Sequence, residues 1–276
     1  MAKECGSTTC DKSSCEGCSK KNNPQSMLVA ANEQSDIRHV IGIISGKGGV
    51  GKSFVTGSLA NMMAEAGFKV GILDADITGP SIARMYDIRG EAQGTEKAIL
   101  PFETRNHIKV MSVNFLLPSE ETPVIWRGPI LAGMVKQFWS DVVWGDLDYL
   151  FVDMPPGTGD VPLTVFQSIP LDGVFIVTTP QDLVKMIVTK AYNMAEMMHV
   201  PVLGLFENFS YMVCPGCQEK IYPFGESRLS ETAADLRLPV AGQMPIDPEI
   251  AKKADLGLFH EVKSGALEAA KAVLPV

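Results

Sequence analysis

Gly46, Lys47, Gly48, Gly49, Val50, Gly51, Lys52 and Ser53 follow one another without a break, in the spacing glycine, four residues, glycine–lysine–serine. That spacing is a phosphate cradle. Glycines let backbone N–H groups close around phosphate oxygens, and the N-terminus of a following helix adds positive potential. A lysine at position 52 reaches the β- and γ-phosphates of ATP, and the Ser53 hydroxyl ligates Mg²⁺. Lys47 is not needed for a cradle made by one chain, which points to a role in a partner's site.

Acids complete the set. Asp74 and Asp76 end an apolar run. Residues i and i+2 of a strand point the same way, so the pair can face one site, orienting a water and standing near the metal. Either acid alone could instead be a turn cap. Residues 149–153 form a second apolar run closed by Asp153, the place of the acid that supports Mg²⁺. Met154, Pro155, Pro156, Gly157, Thr158, Gly159 and Asp160 follow. Two prolines stiffen this loop and two glycines allow unusual backbone angles, as a loop sensing the γ-phosphate requires. Asp160 is also placed to cap the helix expected at 161–168. Asn208 closes a third apolar run; its amide can donate and accept toward adenine N6 and N7, or be an ordinary turn residue.

Six cysteines fall in two groups. Cys214 and Cys217, separated by Pro215 and Gly216, have the spacing of a redox dithiol or of a metal knuckle. A redox pair normally opens a helix, whereas residues 218–225 read as a turn and short strand, which favours the knuckle. Two thiolates cannot hold a [4Fe–4S] cluster, which takes four. A symmetric dimer supplies four across its axis. Cys10, Cys15 and Cys18 match part of a ferredoxin-like spacing, with Cys5 as a fourth ligand; such a segment binds a cluster, binds zinc, or stays unliganded.

The elements needed to position these groups alternate along the chain. Strands are expected at 40–45, 69–73, 108–113, 148–152, 173–178, 202–207 and 238–242. Helices are expected at 52–66, 129–140, 161–168, 182–198, 226–236 and 264–273. Alternation of this kind predicts an α/β fold, a doubly wound, mostly parallel sheet with helices on both faces. In the helix at 54–66, Leu59, Met62, Met63 and Ala66 share one face. Residues 89–106 read as a loop or hairpin excursion. Met186, Met194, Met197 and Met198 on the helix at 182–198 read as adaptable core packing. His39, His107, His199 and His260 are scattered, and no role is assigned to them. Residues 1–36 are polar and Cys-bearing and read as a flexible tail; residues 37–276 form one ATPase domain with its cysteine knuckle.

Composition narrows the partners. The 276 residues carry 24 Lys+Arg against 32 Asp+Glu, a net charge of −8 with no long basic run. That argues against a surface for nucleic acid or anionic membrane. No apolar stretch is long enough to span a bilayer, and the first residues lack an apolar signal core, so a cytoplasmic protein is expected.

Taken together the motifs resemble a known family. Lys47 marks the deviant Walker A group of P-loop NTPases, which includes ParA, MinD, the nitrogenase iron protein and Mrp/ApbC. The runs Asp74-Ala75-Asp76-Ile77-Thr78-Gly79-Pro80-Ser81, Trp126-Arg127-Gly128-Pro129, 153–160 and Glu207-Asn208-Phe209-Ser210-Tyr211, followed by Cys214 and Cys217, are similar to Mrp/ApbC in particular. This resemblance covers residues 37 to the end. It implies an ATP-hydrolysing homodimer that loads or delivers iron–sulfur clusters to apo-proteins. It also implies a [4Fe–4S] cluster bridging the subunits through Cys214 and Cys217, Lys47 reaching ATP across the dimer, Asp76 positioning water and Asn208 holding adenine. The tail resembles the four-Cys extension of the Nbp-type branch, though its first gap is shorter. A ParA- or MinD-type positioning ATPase, or a metal scaffold with vestigial ATPase activity, are the rival readings. MinD-like membrane binding calls for a basic amphipathic C-terminal helix, and residues 264–276 contain one lysine.

Overall fold

The computed structural model describes residues 27–76, 79, 81–95, 98–116, 128–181 and 184–276. Its strands are apolar and β-branched because both faces of the sheet are covered. Strand β1 (Asp36–Ile44) is buried from Val40 onward, and β2 (Val70–Asp74) is buried at every position. Near-continuous apolar strands are what a parallel sheet between two helical layers demands.

Helix α1 (Lys52–Glu65) joins β1 to β2. A four-residue helix α2 (Ile82–Met85) follows, then a small excursion containing β3 (Gly94–Thr95), β4 (Ala98–Ile99) and β5 (Phe102–Glu103), and then β6 (Lys109–Ser112). Strands β3 and β4 form an antiparallel hairpin, as expected for 89–106. The second half runs α3 (Gly128–Ser140), β7 (Asp146–Asp153), α4 (Asp160–Ser168), β8 (Gly173–Thr178) and α5 (Val184–Met197). It continues through β9 (Val202–Val213), β10 (Lys220–Ile221), α6 (Leu229–Leu236), β11 (Val240–Pro245), α7 (Pro248–Asp255) and α8 (Glu268–Lys271).

The sheet order is β10-β9-β8-β1-β7-β2-β6-β5, with β11 also paired to β9. All pairings in this sheet are parallel except β5 with β6 and β10 with β9. Strand β1 lies between β7 and β8, so the chain order switches direction there. Ligands of open α/β sheets bind at such a switch point, beyond the carboxyl ends of the strands. The loop that follows β1 is the glycine-rich run.

Helix α1 is buried on more than the one face the spacing predicted: Val55, Thr56, Ser58, Leu59, Ala60, Asn61, Met62 and Met63 are all enclosed. The cause is the C-terminal segment, which closes over its outer side. Asn61 Nδ2 donates to the Phe259 carbonyl at 2.7 Å, and the Phe259 ring packs edge-on against Phe54 and Tyr86. Ala66 falls one residue beyond the helix, at its C-cap.

Other differences have local reasons. Strand β9 runs on to Val213 because its far end pairs with β10 in a hairpin. The helix expected at 264–273 is a 3₁₀ turn at Gly265–Leu267 followed by the short α8. Helix α7 was not expected, although Asp247 caps it by accepting the Glu249 amide and Pro248 opens it. Of the four methionines of α5 and its end, Met194 is fully buried, whereas Met186 and Met197 are exposed. The tail expected at 1–36 lies mostly outside the described residues, but its last part is bonded to the domain. Val29 N–H donates to the Ser168 carbonyl at 2.8 Å, and Trp139 Nε1 donates to the Val29 carbonyl at 2.8 Å. Among the described residues no helix is long and apolar enough to cross a membrane.

Candidate functional site

The glycine-rich loop leaves β1 and enters α1 through Gly51, whose φ of 82° is the left-handed region that glycine tolerates. A Cβ there would also meet Asn208 Nδ2 at 2.2 Å. Asn208 is buried, donates from Nδ2 to the Val50 carbonyl at 3.1 Å and accepts the Phe209 amide on Oδ1 at 2.9 Å. The residue expected beside adenine thus also braces the cradle. The other end of the loop is held as tightly. A Cβ on Gly46 would lie 2.1 Å from Ile187 Cγ2 and 2.7 Å from the Ile187 carbonyl oxygen on α5.

The loop after β7 is tied to the cradle. Met154 N–H donates to Ile43 O at 3.1 Å and Gly157 N–H donates to Ser45 O at 2.8 Å. A change in either loop is felt in the other. Asp160 is the first residue of α4 rather than its cap; Gly159 holds the cap position without a side-chain bond.

Lys52, Asp74, Asp76 and Asp153 meet at the carboxyl ends of β1, β2 and β7. Lys52 Nζ is 3.3 Å from Asp76 Oδ2 and 3.9 Å from Asp153 Oδ1, with all three residues buried. The Asp76 amide donates to Asp74 Oδ1 at 3.2 Å, and Ser112 Oγ donates to Asp74 Oδ2 at 3.1 Å. Burial pushes the Asp74 carboxyl well above the usual range, and the charges of Asp153 and Asp76 push the same way. Burial raises Asp153 too, opposed by the Lys52 charge and a hydrogen bond from the Ser53 hydroxyl. Three carboxyls around one lysine form a site short of positive charge, and Asp153 Oδ2 is buried with no hydrogen-bond partner among the described residues. Ser53, Asp74 and Asp153 are hard oxygen donors, and this set fits a Mg²⁺ ion.

Lys47 lies at the mouth of the site, where its Nζ donates to Gln181 Oε1 of the same chain. Gln181 carried no signal in the sequence. Ser112 and Thr56 were also missed. Ser112 ends β6 in register with Asp74, a pairing set by the fold, whereas Thr56 follows Ser53 by three residues on the same helix, so spacing could have found it.

Cys214 and Cys217 stand apart from this centre, at the tip of the β9–β10 hairpin, and both are free thiols. Cys214 N–H donates to Glu219 O and Gln218 N–H donates to Cys214 O, each at 2.9 Å, which closes a turn rather than opening a helix. The backbone N–H groups of Cys217 and Gly216, together with the Cys217 thiol, hold the Cys214 thiol below its ordinary range. Amides aimed at sulfur favour a thiolate ligand. Among the described residues no group of three or more His, Cys, Asp or Glu could hold a metal ion, so this knuckle brings two ligands and no more. Cys5, Cys10, Cys15 and Cys18 lie outside the described residues, as do Ile77, Thr78, Pro80, Trp126 and Arg127.

Residues 36–276 match the ParA family described as NUBPL iron-transfer P-loop NTPase. An iron-sulfur cluster carrier protein of Aquifex aeolicus is 43% identical over 91% of this chain and 70% of its own length. One of Methanocaldococcus jannaschii is 44% identical over 88% of both chains. Among solved structures, the nucleotide-binding protein of Archaeoglobus fulgidus in complex with ADP superposes with a TM-score of 0.76 at 44% identity, covering 84% of this chain and 91% of that one. MinD of Aquifex aeolicus, in complex with MinC, shares the fold at 21% identity and a TM-score of 0.61 over 86% of this chain and 98% of that one. With the cradle, its acids and the cysteine hairpin in place, the chain belongs to the NUBPL-type iron-transfer P-loop NTPases of the ParA family.

Proposed function

We propose that this protein is an ATP-hydrolysing carrier that holds a [4Fe–4S] cluster between two copies of itself and passes it to apo iron–sulfur proteins. The observation that carries the reading is the pair Cys214 and Cys217, the two cysteines among the described residues, at the tip of the β9–β10 hairpin, with the Cys214 thiol held below its ordinary range. Two ligands per chain make half of a four-thiolate site, and a two-fold axis beside the hairpin supplies the other half. The curated relatives named as cluster carriers support the cargo.

In the nucleotide site, Lys52 binds the phosphates and Ser53, Asp74 and Asp153 hold Mg²⁺, which would offset charge on the phosphoryl oxygens. Asp76 orients the attacking water. Lys47 leaves Gln181 to reach the partner's nucleotide. Strand β9 links the two centres, because it carries Asn208 against the cradle and ends one residue before Cys214. Movement of the cradle on hydrolysis thereby reaches the hairpin and loosens the cluster.

Anaerobic reconstitution with iron and sulfide tests the carrier. The full chain with Cys5, Cys10, Cys15 and Cys18 all replaced by alanine should bind about two irons per chain, and further replacing Cys214 or Cys217 should remove them. About four irons retained by each monomer after dissociation would overturn the bridge. If the tail holds a second cluster, restoring its cysteines adds about four irons per chain.

A further inference from the structure

Thr56 is a buried hydroxyl on α1, one turn beyond Ser53, with no part in the chemistry described above. Its Oγ1 lies 3.0 Å from the Lys52 carbonyl and 3.3 Å from Asp153 Oδ1. A helical threonine commonly bonds back to the carbonyl four residues earlier. Here the one hydroxyl proton has two acceptors within reach, the Lys52 carbonyl, which also takes the Thr56 amide by the geometry of the helix, and the Asp153 carboxylate. An ionised carboxylate is the stronger acceptor of the two.

The consequence lies in the other oxygen of Asp153. A carboxylate turns about its Cβ–Cγ bond with little resistance, since such torsions are broad. Anchoring Oδ1 fixes the plane and with it the direction of Oδ2, the buried atom that has no hydrogen-bond partner among the described residues. The Ser53 hydroxyl and Lys52 are the other groups that act on this carboxylate; Lys52 at 3.9 Å from Oδ1 is a loose contact whose closer partner is Asp76 at 3.3 Å. When Lys52 turns to a phosphate and the Ser53 hydroxyl to the metal, Thr56 remains to hold Oδ1.

We infer that Thr56 is a positioning residue for the metal: its hydroxyl holds Asp153 Oδ1 so that Oδ2 is aimed at the divalent cation that accompanies the nucleotide. This rests on the nucleotide half of the proposed function and is independent of the cluster.

Binding of Mn²⁺ to the full-length protein saturated with ADP, followed by electron paramagnetic resonance, reads the effect without any turnover. Thr56→Val keeps the shape and removes the hydroxyl. Thr56→Ser keeps the hydroxyl and removes a methyl. Loss of a group that orients a metal ligand weakens metal binding by about 10- to 100-fold. The expected result is that loss for Thr56→Val, near-parent affinity for Thr56→Ser, and unchanged ADP affinity in EDTA for both. Equal Mn²⁺ affinity in Thr56→Val and the parent would overturn the inference. So would equal losses in both variants, which would assign Thr56 to packing. A parent protein that binds ADP but no Mn²⁺ would remove the metal site itself, and the inference with it.

Discussion

Asp74 and Asp153 stand side by side, in register on the adjacent parallel strands β2 and β7, each with 0% of its surface exposed. Both carboxyls are pushed above the ordinary range, chiefly by burial. An acid whose native pKa is raised holds its proton more tightly in the folded state. Its full contribution to stability is present below the usual carboxylate range and is lost as pH rises toward the native value. The two carboxyls therefore carry a strain at neutral pH that a divalent cation would relieve.

Asp74→Asn should relieve the same strain. In EDTA its thermal midpoint should exceed that of the parent at pH 8 and approach it at pH 5. The gain should be a few degrees, since about 1 kcal/mol moves the midpoint by roughly 2–4 °C in a chain of this size. Melting curves at the two pH values check this; a variant less stable than the parent at both would show that the hydrogen bonds from Ser112 and the Asp76 amide outweigh the repulsion.

Lys52 and Asp76 form an ion pair at 3.3 Å, and their removal should have opposite signatures. Lys52→Ala deletes a charged donor to phosphate and should weaken ATP binding by roughly 10- to 100-fold. Asp76→Asn should bind ATP within a few-fold of the parent and lose about 10²- to 10⁴-fold in hydrolysis, the usual worth of a positioned acid–base group. Calorimetric affinity beside single-turnover phosphate release separates the two, and hydrolysis at the parent rate in Asp76→Asn would remove Asp76 from the chemistry.

How much of this was legible beforehand varied with the kind of signal. The seven expected strands of the sheet are all present, because a parallel strand buried on both faces must be a continuous apolar run. The cradle and its acids came from spacing, and the structure brings Lys52, Asp74, Asp76 and Asp153 together. Partners set by the fold were hidden. Gln181 meets Lys47 across 134 residues of sequence, and no local pattern announces that. The extension of β9 to Val213 was missed because Asn208 reads as a strand end, whereas the chain passes through Phe209 at a φ of 58° and goes on to pair with β10. Helix α7 was legible and overlooked, since an aspartate followed by proline is a standard opening.

Lys47 donates to Gln181 within its own chain, so any service to a partner begins with leaving that contact. Lys47→Ala should bind ATP normally and hydrolyse it poorly. Mixed with Asp76→Asn, it should form heterodimers in which one site has both Asp76 and a partner's Lys47. Equal mixing makes about half the dimers mixed, so roughly a quarter of parent activity should return. Heterodimers verified by mass spectrometry yet showing no recovered turnover would place Lys47 in its own chain's site.

Gly46 faces α5 at a distance no side chain can occupy. An added Cβ would sit 2.1 Å from Ile187 Cγ2, which could swing away, and 2.7 Å from the Ile187 carbonyl oxygen, which could not. Either the cradle or α5 has to shift. The cradle is bonded to the loop after β7 through Ser45 and Gly157, so a shift spreads to that loop as well. Overpacking of this sort costs about 1–3 kcal/mol. Gly46→Ala should therefore lower stability by that amount and weaken ADP binding. Gly48→Ala is the control, because its Cβ would meet nothing nearer than Pro156 Cγ at 3.8 Å, an ordinary contact. Its stability should stay within about 0.5 kcal/mol of the parent. Adding Ile187→Ala to Gly46→Ala should restore only part of the loss, since the carbonyl oxygen remains. Urea unfolding of the four proteins in the absence of nucleotide decides the matter; full recovery in the double variant would show that the side chain alone, and not the backbone of α5, sets the width of the cradle.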